Sequence, residues 1–224
     1  MANRPIFIPE LRDRSFVRKV MVDFEWFPGV SLQQKQRSIE SLHTAAERLH
    51  DLSPLLEISS KSPDKIGVDL SAFSLTMDNP PLEHSTTIEA VFQGSKVFEL
   101  GGPFTDMYLQ TARAAKKDPR LQSSGKLRSF QFGETSWKLE PETAFYDWLY
   151  LLALQQHEKL AYKLLDYKAF SDIEFNPKRS VNCQARSAAL FVSLTKLGLL
   201  HDVLESPERY LQIIIPEGQV PKQM

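Results

Sequence analysis

The spacing of apolar residues predicts that the chain opens with a β-hairpin followed by a helix. The runs PIFIPE and SFVRKVMVDFEWF are rich in β-branched and aromatic residues, which predicts two strands joined by LRDR. From Ser31 to His50 the apolar residues recur at helical spacing. Ser31 and Gln34 have the spacing of a capping box, so the helix is expected to begin at Ser31.

Helical patterns predominate in the rest of the chain. Strands are predicted at LLEISSKS, over residues 70–77, and as a hairpin around FGET within residues 127–139. Helices are predicted over residues 86–100, 105–117, 141–156, 157–167, 182–197 and from residue 206. Thr86 with Glu89 is expected to cap the first of these, Pro141 to occupy the first position of another, and Asn182 to cap a third. Residues 168–180 are predicted to be a polar loop.

Short strands that alternate irregularly with longer helices indicate an α+β fold with more helix than sheet. We expect the hairpin and helix of residues 1–50 to pack as an accessory layer on a main domain of residues 51–215. Residues 216–224 are expected to form a frayed tail.

Composition narrows the functional classes. A formal net charge of -1 excludes a globally basic nucleic-acid binder, although a local basic groove stays compatible with it. The single cysteine, Cys183, cannot form an internal disulfide, and no Cys/His spacing suits zinc. No apolar run approaches the ~20 residues of a membrane helix, and the N-terminus lacks a secretion signal. These features predict a soluble, cytoplasmic protein without a membrane partner.

The segment IEAVFQGSKVFELGGPF carries the candidate chemistry. Glu89, Gln93 and Lys96 are spaced so that a helix would place them on one face, beside the apolar stripe. In the alternative interpretation, Glu89 only caps the helix and Lys96 is an ordinary solvated lysine. Gly101-Gly102 precedes a predicted helix start, which suits either a bound phosphate or a simple tight turn.

Several segments, in this order, resemble the NADAR family, also called YbiA-like. Those that match its motifs are Ser59-Ser60-Lys61, Ser71-Ala72-Phe73, the set Glu89, Phe92, Gln93 and Lys96, and the looser set Arg113, Ala115 and Lys116. A later aspartate-tryptophan element of the family has no clean counterpart here. Its possible replacements are Asp172, Asn176, Asn182 and Gln184. The GGPFTDMY insertion and the N-terminal hairpin resemble the branch paired with DNA ADP-ribosyltransferase toxins.

This resemblance implies an N-glycosidase that removes ADP-ribose from guanine bases in DNA and so acts as an antitoxin to such a toxin. Beside apolar walls the pKa of Lys96 would fall, so its neutral amine could form a Schiff base with the ring-opened sugar while Glu89 shuttles a proton. The other residues expected to bind substrate are Ser59, Ser60, Lys61, Gly101 and Gly102 for phosphate or ribose, Phe73 or Phe92 for a base, Gln93, and Asp172 and Asn182 for ribose hydroxyls. The scheme requires no metal or other cofactor, and ADP-ribose is its product.

Two other functions fit the same sequence. The chain could be an N-glycosidase that acts on small phosphoribosylamine metabolites of the riboflavin pathway, without any interaction with DNA. It could also be a non-catalytic module that neutralises its toxin by direct binding, which predicts a stable heterodimer.

Overall fold

A computed structural model describes residues 1–13, 15–178 and 180–215. In chain order the strands are β1 (Ala2–Pro9), β2 (Val17–Phe24), β3 (Leu55–Glu57), β4 (Thr76–Met77), β5 (Thr86–Thr87), β6 (Lys96–Phe98), β7 (Leu127–Phe132), β8 (Thr135–Trp137) and β9 (Ala169–Ser171). The α-helices are α1 (Leu32–His50), α2 (Lys65–Asp69), α3 (Ile88–Gly94), α4 (Ala112–Lys116), α5 (Arg120–Ser123), α6 (Ala144–Gln156), α7 (Glu158–Lys163), α8 (Gln184–Lys196), α9 (Leu200–Glu205) and α10 (Pro207–Ile214). Short 3₁₀ helices cover Thr105–Leu109 and Leu164–Asp166. The predicted tail from residue 216 lies outside the described residues.

The main sheet has the strand order β2-β1-β9-β3. β1 and β2 pair antiparallel along their full length, as the sequence predicts, and β9 pairs antiparallel with β1 and parallel with β3. The helix after the hairpin begins where expected, because the side chain of Ser31 accepts a hydrogen bond from the Gln34 amide. The predicted α+β class is therefore confirmed, while the division at residue 50 stays a prediction.

A buried helix organises the core. In α6, every residue from 144 to 154 is buried, and the helix packs against α3 and α8. Its one charged residue in this stretch, Asp147, forms an ion pair with Arg186 and accepts a 2.6 Å hydrogen bond from Ser187. Because both carboxylate oxygens have partners, the charge can be buried without a large cost. No helix in the described part of the chain is long and apolar enough to cross a membrane.

Two predicted segments differ from the structure. The loop predicted at 168–180 contains β9, a buried strand with neighbours on both sides. Three residues of a strand buried on both faces show no alternation of apolar and polar residues, so the pattern did not reveal it. The strand predicted at 70–77 is a strand only at its end, in β4. The apolar spacing there comes from a turn that buries Leu70, Ala72 and Leu75.

Several helix boundaries were also predicted wrongly. The helix predicted at 86–100 ends at Gly94, and Lys96 begins a strand that pairs with β7. The helix predicted at 105–117 is a 3₁₀ helix followed by α4, whose own cap is Thr111. Thr87 is the N-cap position of α3 and makes no side-chain cap bond, so the Thr86–Glu89 capping box is absent. Pro141 precedes α6 by three residues, and Cys183, not Asn182, is the N-cap position of α8.

Candidate functional site

A cavity of about 1080 Å³ opens between α3, α4, β7 and the segments that follow β3 and β9. Ten of the twelve residues predicted from the sequence line it: Ser59, Ser60, Lys61, Phe73, Glu89, Phe92, Gln93, Lys96, Asp172 and Asn182. The structure thus brings together residues that lie up to about 120 positions apart in the chain.

A hydrogen-bonded row crosses one wall of the cavity. The Lys96 ammonium donates to Gln93 Oε1 at 2.7 Å, and Gln93 Nε2 donates to Glu89 Oε1 at 2.9 Å. Lys116 Nζ lies 3.5 Å from the same Glu89 oxygen. The row predicted as one helical face is therefore present, although Lys96 reaches it from the first residue of β6.

Lys96 is held in a partly dehydrated position. Its Nζ lies 4.9 Å from the centroid of the Phe92 ring, and both residues line the cavity. The pKa of Lys96 is lowered from 10.5 to about 8 chiefly by burial, while the negative charge of Glu89 raises it and the positive charge of Lys116 contributes a smaller lowering. A substantial fraction of this amine is therefore neutral near physiological pH.

The two phenylalanines predicted to contact a base occupy different positions. Phe92 is buried and packs against Phe130, Phe145 and Tyr146 at centroid distances of 5.3, 6.2 and 5.2 Å. It forms part of the wall. Phe73 lies at the rim with 37% of its surface exposed, and Lys116 Nζ lies 4.9 Å from its centroid. Phe73 is thus the ring accessible to a base.

Ser59 is oriented by a buried carboxylate that the sequence did not single out. Its hydroxyl donates to Glu57 Oε1 at 2.7 Å and accepts from the Lys61 amide at 3.2 Å. Glu57 is fully buried, and it also accepts from the Ile173 amide and the Ser171 hydroxyl. Burial raises the pKa of Glu57. The Ser59 proton is thus directed to Glu57, and one of the two lone pairs of the hydroxyl is occupied by the Lys61 amide.

Asp172 and Asn182 also line the cavity. Asp172 Oδ1 accepts from the amides of Glu174 and Phe175 at 3.0 and 3.1 Å. Burial, reinforced by the nearby charge of Glu57, raises the pKa of Asp172 well above its ordinary value. Within the described part of the chain, Asn182 Oδ1 is buried and makes no hydrogen bond. Among the described residues, the other carboxylate oxygen, Asp172 Oδ2, has only a 4.0 Å contact with Cys183 Sγ.

Two further lining residues complete the site. Gln184 donates to the Ile58 carbonyl and accepts from the Ala72 amide, both at 2.7 Å, so it fixes the Ser59 segment relative to the Phe73 segment. Tyr146, which belongs to α6, also lines the cavity. Sequence reasoning missed Tyr146 because its helix has the apolar pattern of an ordinary core element.

Gly101 and Gly102 do not line the cavity, so their predicted contact with phosphate is not supported. Gly102 has φ +93°, and a Cβ atom there would lie 2.2 Å from the Lys96 carbonyl oxygen. Gly101 forms an isolated bridge with Phe98. The glycines instead allow the chain to pass closely over the strand that carries Lys96.

Among the described residues, no group of three or more His, Cys, Asp or Glu side chains could hold a metal ion. The fold and the cavity define a mixed α/β protein whose pocket is lined by aromatic rings together with a lysine amine and acidic side chains.

The match of the sequence to a protein-family model identifies the family within this class. Residues 2–223 match the model of a family described as DarT1-associated NADAR antitoxin. The match covers nearly the whole chain, so the protein belongs to this family and has an antitoxin role. The resemblance drawn from the sequence is confirmed, including the toxin-associated branch, and the family implies a cognate DNA ADP-ribosyltransferase toxin. No curated protein matches the chain in a sequence search.

Proposed function

We propose that this antitoxin is an enzyme that hydrolyses the N-glycosidic bond between ADP-ribose and guanine in DNA. The observation that carries the proposal is the Lys96 amine, which is partly dehydrated, is held by a hydrogen bond to Gln93, and belongs to a residue that lines the cavity. A surface lysine that served only solubility would need none of these features.

The reaction begins with opening of the ribosyl ring. The guanine nitrogen forms a double bond to C1″, the C1″–O4″ bond breaks, and O4″ takes a proton from cavity water. Neutral Lys96 then adds to C1″, and Glu89 transfers a proton from the amine to the guanine nitrogen. Guanine leaves with the electrons of the C1″–N bond, and a Lys96 Schiff base remains. Water adds to this imine, Lys96 departs, and ADP-ribose closes its ring again.

The cavity suits a ligand of the size of ADP-ribose. Small-molecule pockets commonly have volumes of roughly 300–1,000 Å³, so about 1080 Å³ is more than a phosphoribosylamine requires. Four basic side chains line the cavity and would neutralise the diphosphate: Lys61, Arg113, Lys116 and Lys117. Phe73 offers a ring for a base, and Ser59, Asp172 and Asn182 offer hydrogen bonds to ribose hydroxyls. This fit favours the nucleotide substrate over the metabolite.

A release assay tests the proposal. The protein is incubated with single-stranded DNA that carries ADP-ribosylated guanine and, separately, with a phosphoribosylamine, and the released sugar is quantified. We expect release of ADP-ribose from DNA, no release from the phosphoribosylamine, and complete loss of activity in Lys96→Ala. Lys65→Ala is the matched control, because Lys65 is an exposed lysine that pairs with Asp69 and does not line the cavity.

The alternatives give different results. Cleavage of the phosphoribosylamine alone would identify a metabolite enzyme. A wild-type protein that releases nothing but forms a stable complex with the toxin would be a binding antitoxin. Full activity of Lys96→Ala on the DNA substrate would remove Lys96 from the mechanism.

A further inference from the structure

The cavity is lined by a tyrosine that the reaction scheme does not use. Tyr146 is only 6% exposed, and its ring packs edge-to-face on Phe92 at 5.2 Å and against Tyr150 at 6.4 Å. Tyr146 lines the cavity, whereas Tyr150 does not. The ring is thus held by packing and also borders the cavity.

The hydroxyl of Tyr146 makes no hydrogen bond to any described residue, although buried phenol groups normally find a partner. Its neighbour Tyr150 follows this rule and donates to the Leu70 carbonyl at 2.7 Å. The hydroxyl of Tyr210 also lacks a described partner, but that atom is sealed in the core. A fixed, unpaired hydroxyl in the wall of a cavity indicates a hydrogen bond that a ligand completes.

The protonation state decides what this hydroxyl can do. Burial raises the pKa of Tyr146 well above 10, and the charges of Glu89 and Asp172 add to the effect. The phenol therefore keeps its proton throughout the working range and can act as a hydrogen-bond donor, not as a base.

We propose that Tyr146 is a catalytic residue that donates a hydrogen bond to the ribosyl ring oxygen as the sugar ring opens. Lys96 Nζ and the Tyr146 ring flank the same Phe92 side chain, at 4.9 and 5.2 Å from its centroid. In this proposal a ribosyl group with C1″ at the amine directs its ring oxygen toward the hydroxyl, because both side chains line the same cavity. As the C1″–O4″ bond breaks, its electron pair passes to O4″. Tyr146 stabilises that charge without losing its proton, and water supplies the proton that O4″ takes up.

This inference rests on the proposed glycosidase activity, and Tyr146→Phe tests it with Tyr150→Phe as the matched control. Single-turnover release of ADP-ribose should slow about 10²-fold in Tyr146→Phe, which is the loss typical for removal of one such donor. Its melting temperature should stay that of the wild type, because no internal hydrogen bond is lost. Tyr150→Phe should instead melt at a lower temperature and keep the wild-type rate per folded molecule.

A second readout separates direct contact from an indirect effect on Lys96. The midpoint of the pH–rate profile should stay near that of the wild type in Tyr146→Phe, while a shifted midpoint would show that the hydroxyl acts through the lysine and would overturn the proposal. A rate within threefold of the wild type, or a clear fall in melting temperature, would also overturn it. If the wild-type protein itself releases no ADP-ribose, the proposed function fails and this inference fails with it.

Discussion

The activity should depend on pH through a single amine with an unusually low pKa. The pKa of Lys96 is about 8, against 10.5 for an ordinary lysine. At pH 7.5 about a quarter of this amine would be neutral, against about 0.1% for an unperturbed lysine, so burial enriches the reactive form roughly 200-fold. The rate constant kcat/KM should therefore rise about tenfold per pH unit below pH 8 and level off above it.

Two substitutions should move this midpoint in opposite directions. Lys116→Gln removes a positive charge that lowers the pKa of Lys96, so the midpoint should shift upward. Glu89→Gln removes a negative charge that raises this pKa, so the midpoint should shift downward. Both variants also change contacts in the cavity and will lower the maximal rate. The midpoint is nevertheless informative, because it does not depend on the amplitude.

The assay combines kinetics with direct titration. Single-turnover release of ADP-ribose is measured between pH 6 and 10, and the reactivity of the free Lys96 amine toward an acylating reagent is followed by mass spectrometry over the same range. Both curves should share one midpoint near pH 8. A Lys96 titration above pH 10, or shifts of the same sign in the two variants, would refute the argument from burial and neighbouring charge.

Two further predictions concern stability. Gly102→Ala should lower the free energy of unfolding, measured in urea, by at least about 3 kcal/mol and impair activity, because the new Cβ would collide with the Lys96 carbonyl. Gly198→Ala is the control: it is also at positive φ but has nothing within 4 Å, so it should cost about 1 kcal/mol. His43, which contacts the Ser171 hydroxyl at 2.9 Å, has its pKa lowered by burial from 6.5 to about 4, so the unfolded chain binds its proton more readily between these values. As pH drops from 6.5 to 4, the free energy of unfolding of the wild type should therefore fall by up to about 3 kcal/mol more than that of His43→Gln. Urea midpoints that change equally with pH in the two proteins would contradict this.

Local patterns in the sequence predicted the elements that depend on local interactions. The N-terminal hairpin, the helix capped by Ser31, and the hairpin around FGET have repeating apolar positions and clear turn or cap residues, and the structure contains all three. The wrong predictions arise where tertiary packing overrides the local pattern. β9 is such a case, because its three residues become a strand only by pairing with β1 and β3.

The residues of the candidate site also include some that local sequence patterns could predict and some that they could not. Glu89, Gln93 and Lys96 lie close together in sequence, so their proximity could be predicted even though the helix ends before Lys96. Glu57 and Tyr146 carried no comparable signal. Each is a single residue within an apolar element, and its place near the cavity follows only from how the sheet and α6 are arranged.

The central claim is that the Lys96 amine forms a covalent imine with the ribosyl group during turnover. Borohydride added to the protein while it processes ADP-ribosylated DNA would reduce that imine to a stable secondary amine, and peptide mapping by mass spectrometry would locate the adduct. We expect the ADP-ribosyl mass on the peptide that contains Lys96, with none in Lys96→Arg. Rapid release of ADP-ribose without a trapped adduct, or an adduct on a different lysine, would contradict the account.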